Sequence, residues 1–96
     1  MMAETIRVNL IVSGLVQGVG FRVFIARTAI AKNLCGWIRN LQDGTVEIEA
    51  QGPAEIIDEL LNLAKVGPHG ANVTAVRKKE KTPDTCLEKF SVVADA

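Results

Sequence analysis

Hydrophobic and polar positions alternate with period two over residues 6–12. Ile6, Val8, Leu10 and Val12 share one face, and Arg7, Asn9 and Ile11 share the other, which predicts a half-buried strand. From Phe21 to Lys32 the period lengthens: Phe21, Phe24, Ile25, Thr28 and Ala29 recur at three- and four-residue spacings, with Arg22, Arg27 and Lys32 off the stripe. That is the pattern of an amphipathic helix. Asn33 follows its last turn, and Asn tolerates the left-handed conformation that commonly ends a helix. Two further strands, 36–41 and 45–51, flank Gln42-Asp43-Gly44, where the Asp-Gly pair predicts a tight hairpin with positive backbone angles. In the second of them Val46, Ile48 and Ala50 point one way and Thr45, Glu47, Glu49 and Gln51 the other, so one sheet face is dry and one is wet.

A second helix spans about residues 53–66. Gly52-Pro53 opens it, Ile56, Leu60, Leu63 and Ala64 form its stripe, and Gly67-Pro68 stops it. Residues 73–81 read as a fourth strand in which Val73 and Val76 are out of phase by one, which predicts a bulge or strong twist. After the turn-forming Thr82-Pro83-Asp84, Leu87–Val93 reads as an edge strand with Phe90 and Val92 inward. This order of elements predicts an α+β fold, a ferredoxin-like split β-α-β sandwich. Its antiparallel sheet carries both helices on one face, plus a C-terminal edge strand, as a single domain over residues 1–96.

Composition narrows the function classes. Eleven basic and eleven acidic side chains cancel, so no overall field draws the chain to nucleic acid or an anionic membrane, and any anion must be held locally. The apolar stretches are far shorter than the roughly 18 residues of a membrane span, and Met1–Arg7 lacks a basic leader region, so a cytoplasmic protein is expected. Cys35 and Cys86 are widely spaced and His69 is the sole histidine, so neither a metal site nor a cofactor is expected. In a reducing compartment both cysteines are expected as free thiols.

The candidate chemistry lies between the first strand and the first helix. Gly14-Leu15-Val16-Gln17-Gly18-Val19-Gly20-Phe21-Arg22 places three glycines immediately before a helix N-terminus. Glycines admit positive φ, so successive N–H groups can converge into an anion nest at the positive end of the helix dipole. Arg22, in the first helical turn, can bring a planar guanidinium to the same point, where it matches phosphate oxygens better than a lysine would. A Walker loop is excluded, because Phe21 and Arg22 stand where Lys and Ser/Thr would follow the last glycine. A dinucleotide-binding unit is excluded because the next strand enters a hairpin rather than a parallel pair. By itself this stretch could also be a glycine-rich connection with a solvated arginine.

Val16–Arg22 reads VQGVGFR and Gly36–Pro53 reads GWIRNLQDGTVEIEAQGP. Together they resemble the paired signature of the acylphosphatase family. The resemblance continues through Lys65–Val73, KVGPHGANV, and through Phe90. It implies a metal-free hydrolase of acyl phosphates in which Arg22 clamps the phosphate and Asn40 orients the attacking water. The loop backbone of Gln17, Gly18, Val19, Gly20 and Phe21 would add phosphate contacts. The implied partner is the small-molecule acyl phosphate itself, with no nucleic acid and no membrane, and the expected state is a monomer. Leu15 departs from a position that is basic in many relatives, and Lys32-Asn33 from a frequent Leu-Gly. Two alternatives remain: a carbamoyl-phosphate-handling domain like the N-terminal module of hydrogenase-maturation proteins, and a non-catalytic phosphate-binding regulatory module.

Other conspicuous residues receive plainer readings. Trp37 and the phenylalanines are packing residues rather than RNA-stacking platforms, since no strand pairs aromatics with basic residues. Arg77-Lys78-Lys79-Glu80-Lys81 reads as a solvated strand end that resists edge-to-edge association. His69 is expected in an exposed loop without a role.

Overall fold

The computed structural model describes residues 4–96. Its elements are β1 (Thr5–Leu15), α1 (Phe21–Ala31), β2 (Cys35–Asn40), β3 (Val46–Pro53), α2 (Ala54–Val66), β4 (Asn72–Lys81) and β5 (Ser91–Val92). They form one five-stranded sheet of order β4-β1-β3-β2-β5. This is the ferredoxin-like arrangement that the element order predicts. The pairs β1–β3, β1–β4 and β2–β3 are antiparallel, whereas β5 runs parallel to β2, so the sheet is mixed rather than wholly antiparallel.

The alternation in β1 and β3 sets the layer structure. Ile6, Val8, Leu10 and Val12 in β1, with Val46, Ile48 and Ala50 in β3 and Ile38 in β2, are all buried on the face covered by the helices. Phe21, Ile25, Ala26 and Ala29 of α1 and Ile57, Leu60 and Ala64 of α2 close the core from above. Burying each of the larger aliphatic or aromatic side chains stabilises the fold by roughly 1.5–3 kcal/mol. The stripe of α2 is centred on Ile57 rather than Ile56, with Leu60 and Ala64 buried and Leu63 only half-buried, and the helix begins at Ala54, one residue after Pro53.

Helix α1 ends as Asn33 predicts. Asn33 has φ 59, its N–H donates to the Ile30 carbonyl at 3.0 Å, and the next N–H, of Leu34, reaches back to Ala29 at 2.9 Å. These are the two bonds of a Schellman motif, with Leu34 as its buried apolar contact. The hairpin between β2 and β3 differs from the expected form: of Asp43 and Gly44, only Gly44 has positive φ. The Asp43 carboxylate instead accepts from the Thr45 N–H (3.0 Å) and hydroxyl (2.6 Å), which fixes the turn by a local side-chain bond.

The phase slip in β4 is a bulge. Ser13 pairs with Ala75 but Gly14 with Val73, so Thr74 is the extra residue. The edge strand is shorter than 87–93. Asp84–Leu87 is occupied by a turn, closed by Leu87 N–H to Asp84 C=O at 3.2 Å, and pairing with β2 begins only at the Cys35–Lys89 bridge. Phe90 is buried as expected, but Val92 is 45% exposed, because the parallel pairing turns it outward and leaves Val93 half-buried instead.

The wet face holds one surprise, a carboxylate that is only 1% exposed. Glu49 accepts from Arg7 and from Asn9 Nδ2 (3.0 Å), and Lys81 Nζ lies 3.4 Å away. Desolvation pushes its carboxyl up, but the bonds from Asn9 and Arg7 and the charges of Lys81 and Arg7 outweigh it and hold the group below its ordinary value.

Candidate active site

The glycine-rich loop begins where β1 leaves the sheet. Val16, 1% exposed, plugs the start of the loop into the core, and Phe21 does the same at its end. Between these anchors Gly18 (φ 75) and Gly20 (φ 78) both adopt the left-handed conformation, and Gly20 is the N-cap of α1. A Cβ at either glycine would meet nothing within 4 Å, so these positions need glycine for its backbone angle rather than for space.

The helix N-terminus that follows is uncapped. No side chain caps it and its first turn holds no acidic residue. Among the described residues, no amide from Gln17 to Val23 donates to a backbone carbonyl, and the first helical bond is Phe24 N–H to Gly20 C=O at 3.1 Å. The orphan donors of a helix start therefore remain available at the positive end of its dipole. This is the arrangement from which anion sites are made.

Two sets of contacts bring Asn40 to this loop. Gln17 Nε2 donates to the carbonyls of Leu41 (2.8 Å) and Thr45 (2.9 Å), so the loop is tied to the residue directly after Asn40. The side chain of Gln17 is thus spent on positioning, which leaves its backbone for any ligand. On the other side, the C-terminal segment follows β2, with Val93 N–H to Ile38 C=O and Ala96 N–H to Asn40 C=O, each at 3.0 Å. Arg22 Nη1 meets Asp95 Oδ1 at 3.1 Å. Consecutive residues Asp95 and Ala96 therefore touch Arg22 and Asn40 respectively, and adjacent Cα atoms are only about 3.8 Å apart.

The two polar groups differ in environment. The Arg22 side chain is 36% exposed and its carboxylate partner 62%, so their ion pair is weak and open to water. Asn40 Oδ1 is buried without a hydrogen-bond partner. Leaving a buried acceptor unpaired costs about 1–3 kcal/mol, a cost that a fold retains when the atom has another use. Val19, between the two glycines, packs its side chain partly into the core.

Contacts through Gln17 and through Asp95–Ala96 thus tie the loop 17–21 and Arg22 to the strand end that carries Asn40. Sequence reasoning missed Asp95 and the backbone of Ala96; Asp95 is an acidic residue beyond the last recognisable strand, and nothing in the local pattern marks it. His69 is exposed, and among the described residues no group of three or more His, Cys, Asp or Glu is placed to hold a metal ion. Among the described residues no helix is long and apolar enough to cross a membrane.

A ferredoxin-like sandwich whose first helix starts uncapped, directly after a glycine-rich loop, defines a small α+β protein. The acylphosphatase family model matches residues 8–92. The acylphosphatase of Chlorobaculum tepidum is 52% identical over 87 residues, covering 91% of this chain and 95% of the relative. That of Caldivirga maquilingensis is 53% identical over 91 residues, covering 94% and 93%. Among solved structures, Bacillus subtilis acylphosphatase superposes with a TM-score of 0.87 at 36% identity, over 92% of this chain and 98% of that one. Full-length HypF in its phosphate- and nucleotide-bound form gives a TM-score of 0.86 at 25% identity, over 99% of this chain but 13% of HypF. The chain belongs to the acylphosphatase family, hydrolases that act on acid anhydrides.

Proposed function

We propose that the chain hydrolyses acyl phosphates by in-line attack of water on phosphorus, with Arg22 and Asn40 as its catalytic residues. What supports this reading is an uncapped helix N-terminus bearing Arg22, tied through Gln17 and through Asp95–Ala96 to the strand end where Asn40 Oδ1 is buried and unpartnered. The amides of Gln17, Gly18, Val19, Gly20 and Phe21 and the guanidinium of Arg22 receive the non-bridging phosphoryl oxygens. Their charge-assisted bonds strengthen as negative charge builds on those oxygens. Asn40 Oδ1 accepts a hydrogen bond from the water and aims the water's lone pair at phosphorus. The new P–O bond forms as the bond to the acyl oxygen breaks, the carboxylate leaves with that electron pair, and the water's proton passes to a phosphate oxygen. A carboxylate is a good leaving group, so positioning and charge stabilisation suffice.

The working unit is a monomer of one domain over residues 1–96. Cys35 and Cys86 are both free, in keeping with a reducing, cytoplasmic setting. The test is steady-state hydrolysis of benzoyl phosphate in excess chelator by wild type, Arg22→Ala and Asn40→Ala, each checked for folding. Both variants lose two or more orders of magnitude in kcat/KM, since one preorganised transition-state donor is worth roughly 10²–10³ in rate. Turnover that survives both substitutions sinks the site assignment. Phosphate binding without turnover in the wild type replaces it with a regulatory module, and a marked preference for carbamoyl phosphate replaces the general acyl substrate with that one.

A further inference from the structure

The connection from β4 to β5 crosses the wet face at one end of the sheet, along a row of paired residues. The row runs Lys81, Arg7, Gln51, Cys35, Lys89, one residue from each successive strand or bridge. The connection is held to this row residue by residue. Arg7 Nη1 donates to the Thr82 carbonyl at 3.2 Å. Gln51 grips Asp84 twice, with Nε2 donating to its carbonyl (3.1 Å) and Oε1 accepting from its N–H (2.7 Å). Beyond that, Gly36 N–H donates to the Glu88 carbonyl at 2.8 Å. Thr82 thus lies at β1 and Asp84 at β3, and the turn Asp84–Leu87 carries the chain on to Glu88, at Gly36 of β2. Cys86 sits in that turn, between a contact to Gln51, the register partner of Cys35, and a contact to Gly36, its chain neighbour.

We propose that Cys35 and Cys86 are a dithiol pair that closes to an intramolecular disulfide when the chain meets a small-molecule disulfide. Cys86 is exposed, in the turn Asp84–Leu87, with its N–H on Asp84 Oδ1 at 2.9 Å. It is the sulfur the reagent meets first. The Cys86 thiolate attacks one sulfur of the reagent, expelling one thiol and leaving a mixed disulfide. The half-buried Cys35 thiolate then attacks the Cys86 sulfur and expels the second. Two protein thiols are oxidised, one small disulfide is reduced to two thiols, and the protons of the protein thiols end on the departing ones.

The bond lies remote from the proposed chemistry. Cys35 opens β2 and Asn40 closes it, six residues in all, so the two ends are about 17 Å apart at about 3.3 Å per residue. Oxidation locks the connection onto the sheet, raising thermal stability while turnover stays constant.

The experiment incubates wild type, Cys35→Ser and Cys86→Ser with oxidised glutathione, followed by intact mass, non-reducing peptide mapping and thermal melting. The wild type loses two hydrogens per chain without dimerising, its Cys35 and Cys86 peptides run linked, and its Tm rises by roughly 10 °C or more. Dithiothreitol reverses all three. Each single variant takes up one glutathione or none, and its Tm does not rise. Glutathione on both wild-type cysteines, intermolecular dimers, or an unchanged mass in every sample would overturn the proposal.

Discussion

Arg22 Nη1 lies 3.1 Å from Asp95 Oδ1, so the guanidinium proposed to receive the phosphoryl group already faces a carboxylate from a residue 73 positions away. The carboxylate occupies one fork of the anion receptor. Substrate must displace it, and inorganic phosphate meets the same competition. Because the pair is exposed, the competition is small. Asp95→Asn lowers the inhibition constant for inorganic phosphate roughly two- to five-fold, and the gain shrinks at high salt. A weaker or unchanged constant would mean that Asp95 holds Arg22 in place rather than shielding it.

The Gln17 side chain secures the loop and leaves its backbone N–H for ligand. Its amide bonds to the Leu41 and Thr45 carbonyls join the anion loop to the β2–β3 hairpin. Gln17→Ala removes the second donor from each carbonyl, leaving Leu41 C=O with the Gly44 N–H and Thr45 C=O with the Leu41 N–H, and frees the loop to drift from the hairpin. Stability falls by about 1–2 kcal/mol in a denaturant titration, and kcat/KM for benzoyl phosphate falls more than ten-fold. Gln17→Glu is worse, since a carboxylate cannot donate to either carbonyl.

These two relationships mark where the sequence was readable. Gly14–Arg22 carries the loop in its own letters, because positive φ at Gly18 and Gly20 needs glycine and a helix start needs a break. Alternation in β1 was legible from Ile6 to Val12, but the strand continues to Leu15 through Gly14, whose φ of 119 and missing side chain hide it from any periodicity. Glu49 had the parity of a solvent-facing residue. It is buried because Arg7, Asn9 and Lys81 close over it, a fact of register between strands rather than of local pattern. Asp95 was invisible for the same reason: its role depends on a contact that only the parallel course of the chain beside β2 creates.

Glu49 also predicts the acid limb of the stability curve. Its folded pKa is depressed, so its charge contributes stability that is fully present above the unfolded value of about 4.3 and is lost as pH falls through the folded value. The Tm is flat from neutral pH to about pH 5 and declines below about 4.3. Glu49→Gln is less stable by about 3 kcal/mol at pH 7, and its deficit narrows toward pH 3. A deficit independent of pH would show that packing, not charge, is what Glu49 supplies.

Gly36 is the backbone position least able to change. Its φ is 133, and a Cβ there would run into the Glu49 carbonyl of the neighbouring strand. Strain and clash act together, so Gly36→Ala yields no soluble folded protein at 37 °C, read by expression and circular dichroism. Asn33→Gly goes the other way. It relieves a left-handed non-glycine residue at the end of α1, stabilising the protein by roughly 0.5–1 kcal/mol, with activity unchanged.

The interior position of β1 in the sheet also sets how the molecule must be made. Its register joins Arg7 to Lys81 and Leu10 to Lys78, so this strand gains its second neighbour only when distant parts of the chain have met. Loop closure of that span precedes any return from the contacts it creates, which places refolding in the millisecond-to-second range rather than with fast helical proteins. Arg22, Asn40 and Asp95 come together only at that late stage. Recovery of turnover after dilution from denaturant therefore keeps pace with Trp37 fluorescence and never runs ahead of it.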